Sequence, residues 1–168
     1  MSLELNDVSL TYPDGDGVVT ALDDVSVRVQ PGELAAVVGP SGSGKSSLLA
    51  VAATLIRPAS GRVAVGGTDT LGMRPRELSE LRLNRIGIVF QQPNLISALT
   101  AVEQLMVTEH MRARPLREAR RTALETLASV GLDGKEHRRP HQLSGGERQR
   151  VNIARALSSR PRGTRCRG

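Results

Sequence analysis

Five consecutive apolar residues, Leu34, Ala35, Ala36, Val37 and Val38, run directly into Gly39-Pro40-Ser41-Gly42-Ser43-Gly44-Lys45-Ser46. No other stretch narrows the fold as much. An apolar run of that length without alternation reads as a strand covered on both faces, as the central strands of parallel sheets are. The loop after it fits the pattern G-x-x-x-x-G-K-[ST]. Its glycines free the backbone for left-handed conformations, and a following helix aims N–H groups at an anion. The spacing therefore predicts strand, phosphate-binding loop and helix in succession, with the helix over residues 45–56. Lys45 then reaches the outer phosphates of a nucleotide and the Ser46 hydroxyl binds Mg²⁺; Ser47, next along the chain, is counted with the candidate nucleotide-binding residues.

The flanking segments extend this frame. Leu3, Leu5, Val8 and Leu10 lead to a turn signal at Asp14-Gly15-Asp16-Gly17, and Val25, Val27 and Val29 alternate with Ser26 and Arg28. These two runs predict an antiparallel pair, with Pro31-Gly32 as its closing turn. Residues 61–67 read as a short strand, 75–84 as a helix with Pro75 in its first turn, and 86–90 as a second apolar strand that takes Phe90 into the core. Residues 101–114 and 116–130 have helical periodicity with charged outer faces. Ser144 with Glu147 three residues later reads as a helix N-cap, the helix continuing to about residue 158. Strands alternating with helices around a glycine loop mean an α/β fold with a largely parallel sheet.

Composition excludes several function classes. The chain has 168 residues, 39% hydrophobic and 24% charged, which is ordinary for one globular domain. Its net charge of +6 owes four units to Arg160, Arg162, Arg165 and Arg167, so the body carries about +2 and gives no nucleic-acid signature. The single cysteine, Cys166, allows no disulfide framework within the chain. No apolar run is long enough to span a bilayer, and the acidic N-terminus is not a signal peptide. The expectation is a cytoplasmic protein that meets a membrane only through a partner.

Three further features bear on chemistry. Tyr12 precedes a glycine-rich turn, where its ring could stack on a flat base or lie half-buried in a strand. Gln91 follows the strand at 86–90, where a neutral amide can touch Mg²⁺ and orient water, or serve only as a polar loop residue. Leu143-Ser144-Gly145-Gly146-Glu147-Arg148-Gln149-Arg150 opens a helix with a hydroxyl and two glycines, a second anion-facing motif.

Together these residues make the chain similar to the nucleotide-binding subunits of ABC transporters, from about residue 3 to about residue 158. The resemblance implies a P-loop NTPase (ABC ATPase) core of α/β class, with an N-terminal antiparallel β subdomain and a helical subdomain at about 94–158. It makes Tyr12 the adenine-stacking aromatic and residues 39–46 the Walker A loop. Gln91 becomes the Q-loop glutamine that touches Mg²⁺ and couples to the membrane subunit, and residues 143–149 become the signature that meets the ATP of a partner subunit. The implied cofactors are ATP and Mg²⁺. The implied partners are a transmembrane permease and, in the full-length form, a second ATP-binding subunit in a homodimer or family-like dimer, without nucleic acid, at the inner face of the cell membrane. The wording of residues 88–96 and 140–146 looks most like the branch serving lipoprotein release and macrolide export.

The resemblance also implies an apolar strand ending in Asp-Glu after residue 162, then a D-loop and a switch histidine. The sequence instead reads Gly163-Thr164-Arg165-Cys166-Arg167-Gly168. His110, His137 and His141 all precede the signature. The core is therefore expected to lack its C-terminal part, and residues 159–168 are expected to form a disordered, aberrant tail such as a shifted reading frame would produce. Three readings follow. They are an exporter ATPase subunit left without its water-polarising carboxylate, a non-catalytic nucleotide-binding module, and a soluble ABC ATPase outside transport.

Overall fold

The computed structural model describes residues 1–158, and the expected tail at 159–168 lies outside the described residues. The chain forms two compact units, Met1–Arg82 and Leu83–Gly168.

In the first unit, β1 (Leu3–Asp14) and β2 (Gly17–Val29) pair antiparallel, and β3 (Ser60–Val65) and β4 (Thr68–Asp69) extend the sheet in the order β2-β1-β3-β4. The ladder runs from Leu3 opposite Val29 to Asp14 opposite Gly17, so the closing turn is Gly15-Asp16, with Gly15 at φ 56°. Pro31-Gly32, expected to close the pair, lies at its other end and turns the chain away from β2. There the Glu33 N–H donates to Gln30 O at 3.1 Å, and the Gln30 N–H donates to Glu33 Oε2 at 2.7 Å. Gly66 and Gly67, at φ 59° and 77°, make the two-residue turn between β3 and β4, a conformation that suits the twist of hairpin strands.

Leu5, Val8 and Leu10 are all buried although Leu5 and Val8 are three residues apart. A bulge at Asp7 reconciles this, because one extra residue restores the alternation of faces. Asp7 sits at φ 51° and is held there by Ser26, whose Oγ accepts from the Asp7 N–H and donates to Asp7 Oδ1, both at 2.9 Å. Gly61, at φ 87°, packs on the same bulge, and a Cβ there would collide with the backbone carbonyls of Asn6 and Asp7. The sheet buries Leu5, Val8, Val63 and Val65, and Val51 of α1 (Lys45–Ala52) is buried in the same unit.

The structure corrects further expectations here. Residues 34–38 and 86–90 are not strands, and the only sheet among the described residues is antiparallel. Leu34 is 96% exposed and Val38 87%, so the run is not covered on both faces, and Phe90, assigned to the core, is 41% exposed. A strand is defined by its neighbours, and no described segment pairs with either run. The helix α1 also stops at Ala52 rather than residue 56. Thr54 turns to φ 57°, the Leu55 N–H closes on Ala50 O at 2.9 Å, and Arg82 donates to Thr54 O at 2.7 Å. Helix α2 (Pro75–Arg85) follows β4 as the sequence predicts.

The second unit is helical: α3 (Ala101–Met111), α4 (Leu116–Ser129) and α5 (Gly145–Ser158), with a 3₁₀ turn at Pro140–Gln142. Leu105, Leu127, Leu132 and Val151 are fully buried in one core cluster. Thr100 and Glu103 form a capping box at the start of α3. At its end, the buried Glu109 accepts from Arg112 at 2.8 Å and from Arg114 at 2.6 Å. Arg112 also donates to Leu83 O and, at 2.7 Å, to Ser158 O, so this ion network ties the end of α3 to the end of α5.

Candidate functional site

The phosphate loop belongs to the first unit. Gly42 and Gly44 take φ 82° and 79°, left-handed values that a residue with a side chain rarely adopts. Gly44 has a second constraint: a Cβ there would collide with the backbone carbonyl of Ala21 on β2. The loop is thereby seated against the hairpin. Gly44 is also the N-cap of α1, with no side-chain cap and no acid in the first turn. The helix start therefore has no internal carboxylate competing for its N–H groups, the condition under which a helix N-terminus attracts an anion.

Lys45 Nζ donates to the carbonyls of Gly39, at 2.9 Å, and Pro40, and to Ser43 Oγ at 3.3 Å. Its ammonium thus lies across the mouth of the loop, restrained by weak neutral acceptors that a phosphate can replace with charge-assisted bonds. Ser41, Ser43 and Ser46 are exposed or half-buried around it, and so is Ser47. Tyr12, near the end of β1, meets Ser47 with the two hydroxyl oxygens 3.5 Å apart. Of the sequence-predicted residues, the first unit therefore brings together Tyr12, the loop from Gly39 to Gly44, Lys45, Ser46 and Ser47.

Gln91 and the signature residues belong to the second unit. Gln91 is exposed on a bend whose neighbours are tethered to α5. Asn152 Nδ2 donates to Phe90 O at 2.8 Å, and Arg155 donates to Pro93 O at 2.9 Å and Asn94 O at 3.3 Å. Arg155 also donates to Asn152 Oδ1 at 3.1 Å. Partial burial pushes the half-buried Arg155 guanidinium below its ordinary range, and a charged donor binds carbonyl acceptors more strongly than a neutral one. Sequence reasoning missed both tethers. Asn152, a fully buried amide on the apolar side of α5 between Val151 and Ala154, was the available signal.

The helix α5 also opens with the signature. Leu143 is buried and anchors it, with Arg148 donating to Leu143 O at 2.6 Å. The Ser144 N–H donates to Glu147 Oε2 at 2.7 Å, and the Glu147 N–H donates to Ser144 Oγ at 3.2 Å, a reciprocal cap. The bonds from Ser144 hold the Glu147 carboxyl below the ordinary glutamate range, with Lys135 at 3.5 Å adding to the effect. Gly145 and Gly146 are exposed, and a Cβ on either would meet only an arginine nitrogen at 3.9 Å. Nothing within the described residues requires glycine at these positions. Their bareness leaves backbone open to something outside the chain.

The residues on hand fit a nucleoside triphosphate through the loop, Lys45 and the free start of α1. Toward Mg²⁺ they offer the Ser46 hydroxyl. Among the described residues no group of three or more His, Cys, Asp or Glu side chains could hold a metal ion. Also among them, no helix is long and apolar enough to cross a membrane.

Comparison with known proteins agrees with this geometry. The ABC transporter family matches residues 22–163. The chain is 43% identical over 155 residues to the macrolide export ATP-binding/permease protein MacB of Sodalis glossinidius, covering 92% of this chain and 24% of that protein. It is 45% identical over 159 residues to an uncharacterized ABC transporter ATP-binding protein of Thermotoga maritima, covering 95% and 68%. A solved dimeric cassette, MJ0796 in a post-hydrolysis state bound to ADP and Pi, superposes with a TM-score of 0.87 at 38% identity, over 94% of this chain and 69% of that one. The chain thus spans about a quarter of the length of its MacB relatives. With the glycine loop, the capped signature and the β hairpin all in place, the chain belongs to the ABC transporter family and has the fold of its ATP-binding domain.

Proposed function

We propose that the chain is the ATP-binding part of an exporter, working with a transmembrane permease at the inner face of the cell membrane. The observation that carries the ATP reading is the seating of the glycine loop against Ala21, with Lys45 lying across an uncapped helix start. Lys45 releases its loop carbonyls and takes the terminal phosphates, while the N–H groups at the start of α1 meet the inner ones. Tyr12 stacks on the adenine, and Ser46 gives a hydroxyl to Mg²⁺, which when bound offsets phosphate charge. Gln91, on its tethered bend, is the residue that answers to the metal and to the permease. Residues 143–147 serve the ATP of a partner subunit, for which the bare Gly145 and Gly146 leave room.

ATP binding is the part of this reading that the described residues carry, and phosphoryl transfer to water needs in addition a group that orients and polarises the water. Calorimetry with Mg-ATP and AMP tests the first part: Lys45→Ala should weaken ATP binding roughly tenfold or more, as loss of a charge-assisted phosphate contact does, and leave AMP nearly unchanged. Equal ATP affinity in the variant would refute the loop assignment. Co-purification with a transmembrane permease separates the transport reading from a soluble ABC ATPase.

A further inference from the structure

The second unit carries a surface that ATP binding does not use. On α4, Arg117, Arg120, Arg121 and Leu124 fall at helical spacing i, i+3, i+4 and i+7 and share one face, where with Pro115 and a single acid, the half-buried Glu118, they line an open groove. Arg117 and Arg120 make no ion pair among the described residues, and Arg121 reaches only Glu125, at 3.9 Å. At the α3–α4 corner beside them, Met111 is 66% exposed and Leu116 70%, with Val107 one turn before Met111 also exposed. The corner itself is held from within by Glu109, which takes Arg112 and Arg114. The corner is braced by these ion pairs, apolar at its tip and mainly cationic along one side.

We propose that this corner docks on a membrane surface rich in anionic phospholipid, with Met111 and Leu116 entering the headgroup–acyl boundary and Arg117 and Arg120 meeting lipid phosphates. The chemistry favours lipid over nucleic acid. Both polyanions reward the arginines, but only the bilayer rewards two large apolar side chains held outward at the same corner. Arginine suits the boundary because its apolar stem lies along the acyl region while its head stays among phosphates. The proposal rests on the reading of the chain as a subunit held at a membrane, and it adds a direct lipid contact to the one through a permease.

Flotation of the purified chain with vesicles of phosphatidylcholine alone, or with about 30% phosphatidylglycerol, tests it. The chain should float with the anionic vesicles, not the neutral ones, and be released by high salt. Arg117→Glu with Arg120→Glu should lower the bound fraction by well over tenfold, since each basic residue near such a surface contributes about fivefold. Met111→Ser with Leu116→Ser should weaken vesicle binding while leaving any binding to duplex DNA unchanged. ATP affinity, measured on the same variants, should stay at the parent value, which separates failure of this proposal from failure of the nucleotide reading. Equal flotation with neutral vesicles, or vesicle binding indifferent to Met111 and Leu116, would overturn the proposal. So would DNA binding stronger than vesicle binding at equal salt.

Discussion

Lys45, Gly44 and Tyr12 carry the proposed nucleotide site at the scale of single residues. Gly44 is the least replaceable. Its φ of 79° and its contact with Ala21 O act together, so Gly44→Ala must move the loop or the hairpin. The expected outcome is loss of ATP binding with a lowered melting temperature, whereas Gly42→Ala, with open space around its Cβ, should keep more of both. Calorimetry and thermal melts of the pair check this ordering. In the proposed site Tyr12 acts through its ring, so Tyr12→Ala should weaken ATP binding by about 1 kcal/mol. Tyr12→Phe should be nearly silent, because the Ser47 contact it loses is already long at 3.5 Å. Similar affinities for the two variants would make Tyr12 a strand residue only.

At the scale of elements, helix starts and the ion network are the testable parts. Glu77, Glu103 and Glu147 each accept backbone or side-chain donors at a helix start, and each carboxyl lies below its ordinary value near 4.5. A depressed carboxyl contributes stability that is complete above the unfolded value and is lost as pH falls through the folded one. Melting temperature should therefore fall as pH drops below about 4.5, and Glu147→Gln should flatten part of that dependence. A melting curve with the same acid slope in the variant would remove Glu147 from the account. The buried Glu109 is a different case. Removing it as Glu109→Ala leaves Arg112 inside the protein without its partner, a change of about 3 to 5 kcal/mol. Chemical denaturation should show that loss, larger than for the exposed pair Arg76–Glu80, whose removal should change stability by less than about 1 kcal/mol.

Over the whole molecule, the two apolar runs at 34–38 and 86–90 are the feature with the widest consequence. Leu34, Val38, Val89 and Phe90 are exposed, and neither run has a strand beside it among the described residues. Unpaired apolar backbone of this kind recruits other chains. The 168-residue polypeptide should bind a hydrophobic dye such as ANS and self-associate with rising concentration. Charged substitution at Val38 and Phe90 should reduce both. A longer chain that supplies a strand beside either run should bind less dye.

Much of the molecule was legible residue by residue. The phosphate loop, the capped start of α5, the helices from 101 onward and the β hairpin all rest on contacts between residues close in sequence or on strict periodicity. Gly44 opens α1 and Ser144 and Glu147 cap α5 as their spacing implies. The closing turn of the hairpin was misplaced because two turn signals flanked one strand, and only the pairing register chose between them. The tethers from Asn152 and Arg155 to the bend at Gln91 span some sixty residues and had no local signature beyond a polar side chain on an apolar face. The runs at 34–38 and 86–90 mark the boundary. Apolar composition says that a segment seeks cover, which is a local property. Whether it becomes a strand depends on another segment offering hydrogen bonds along its length, which only the tertiary structure decides.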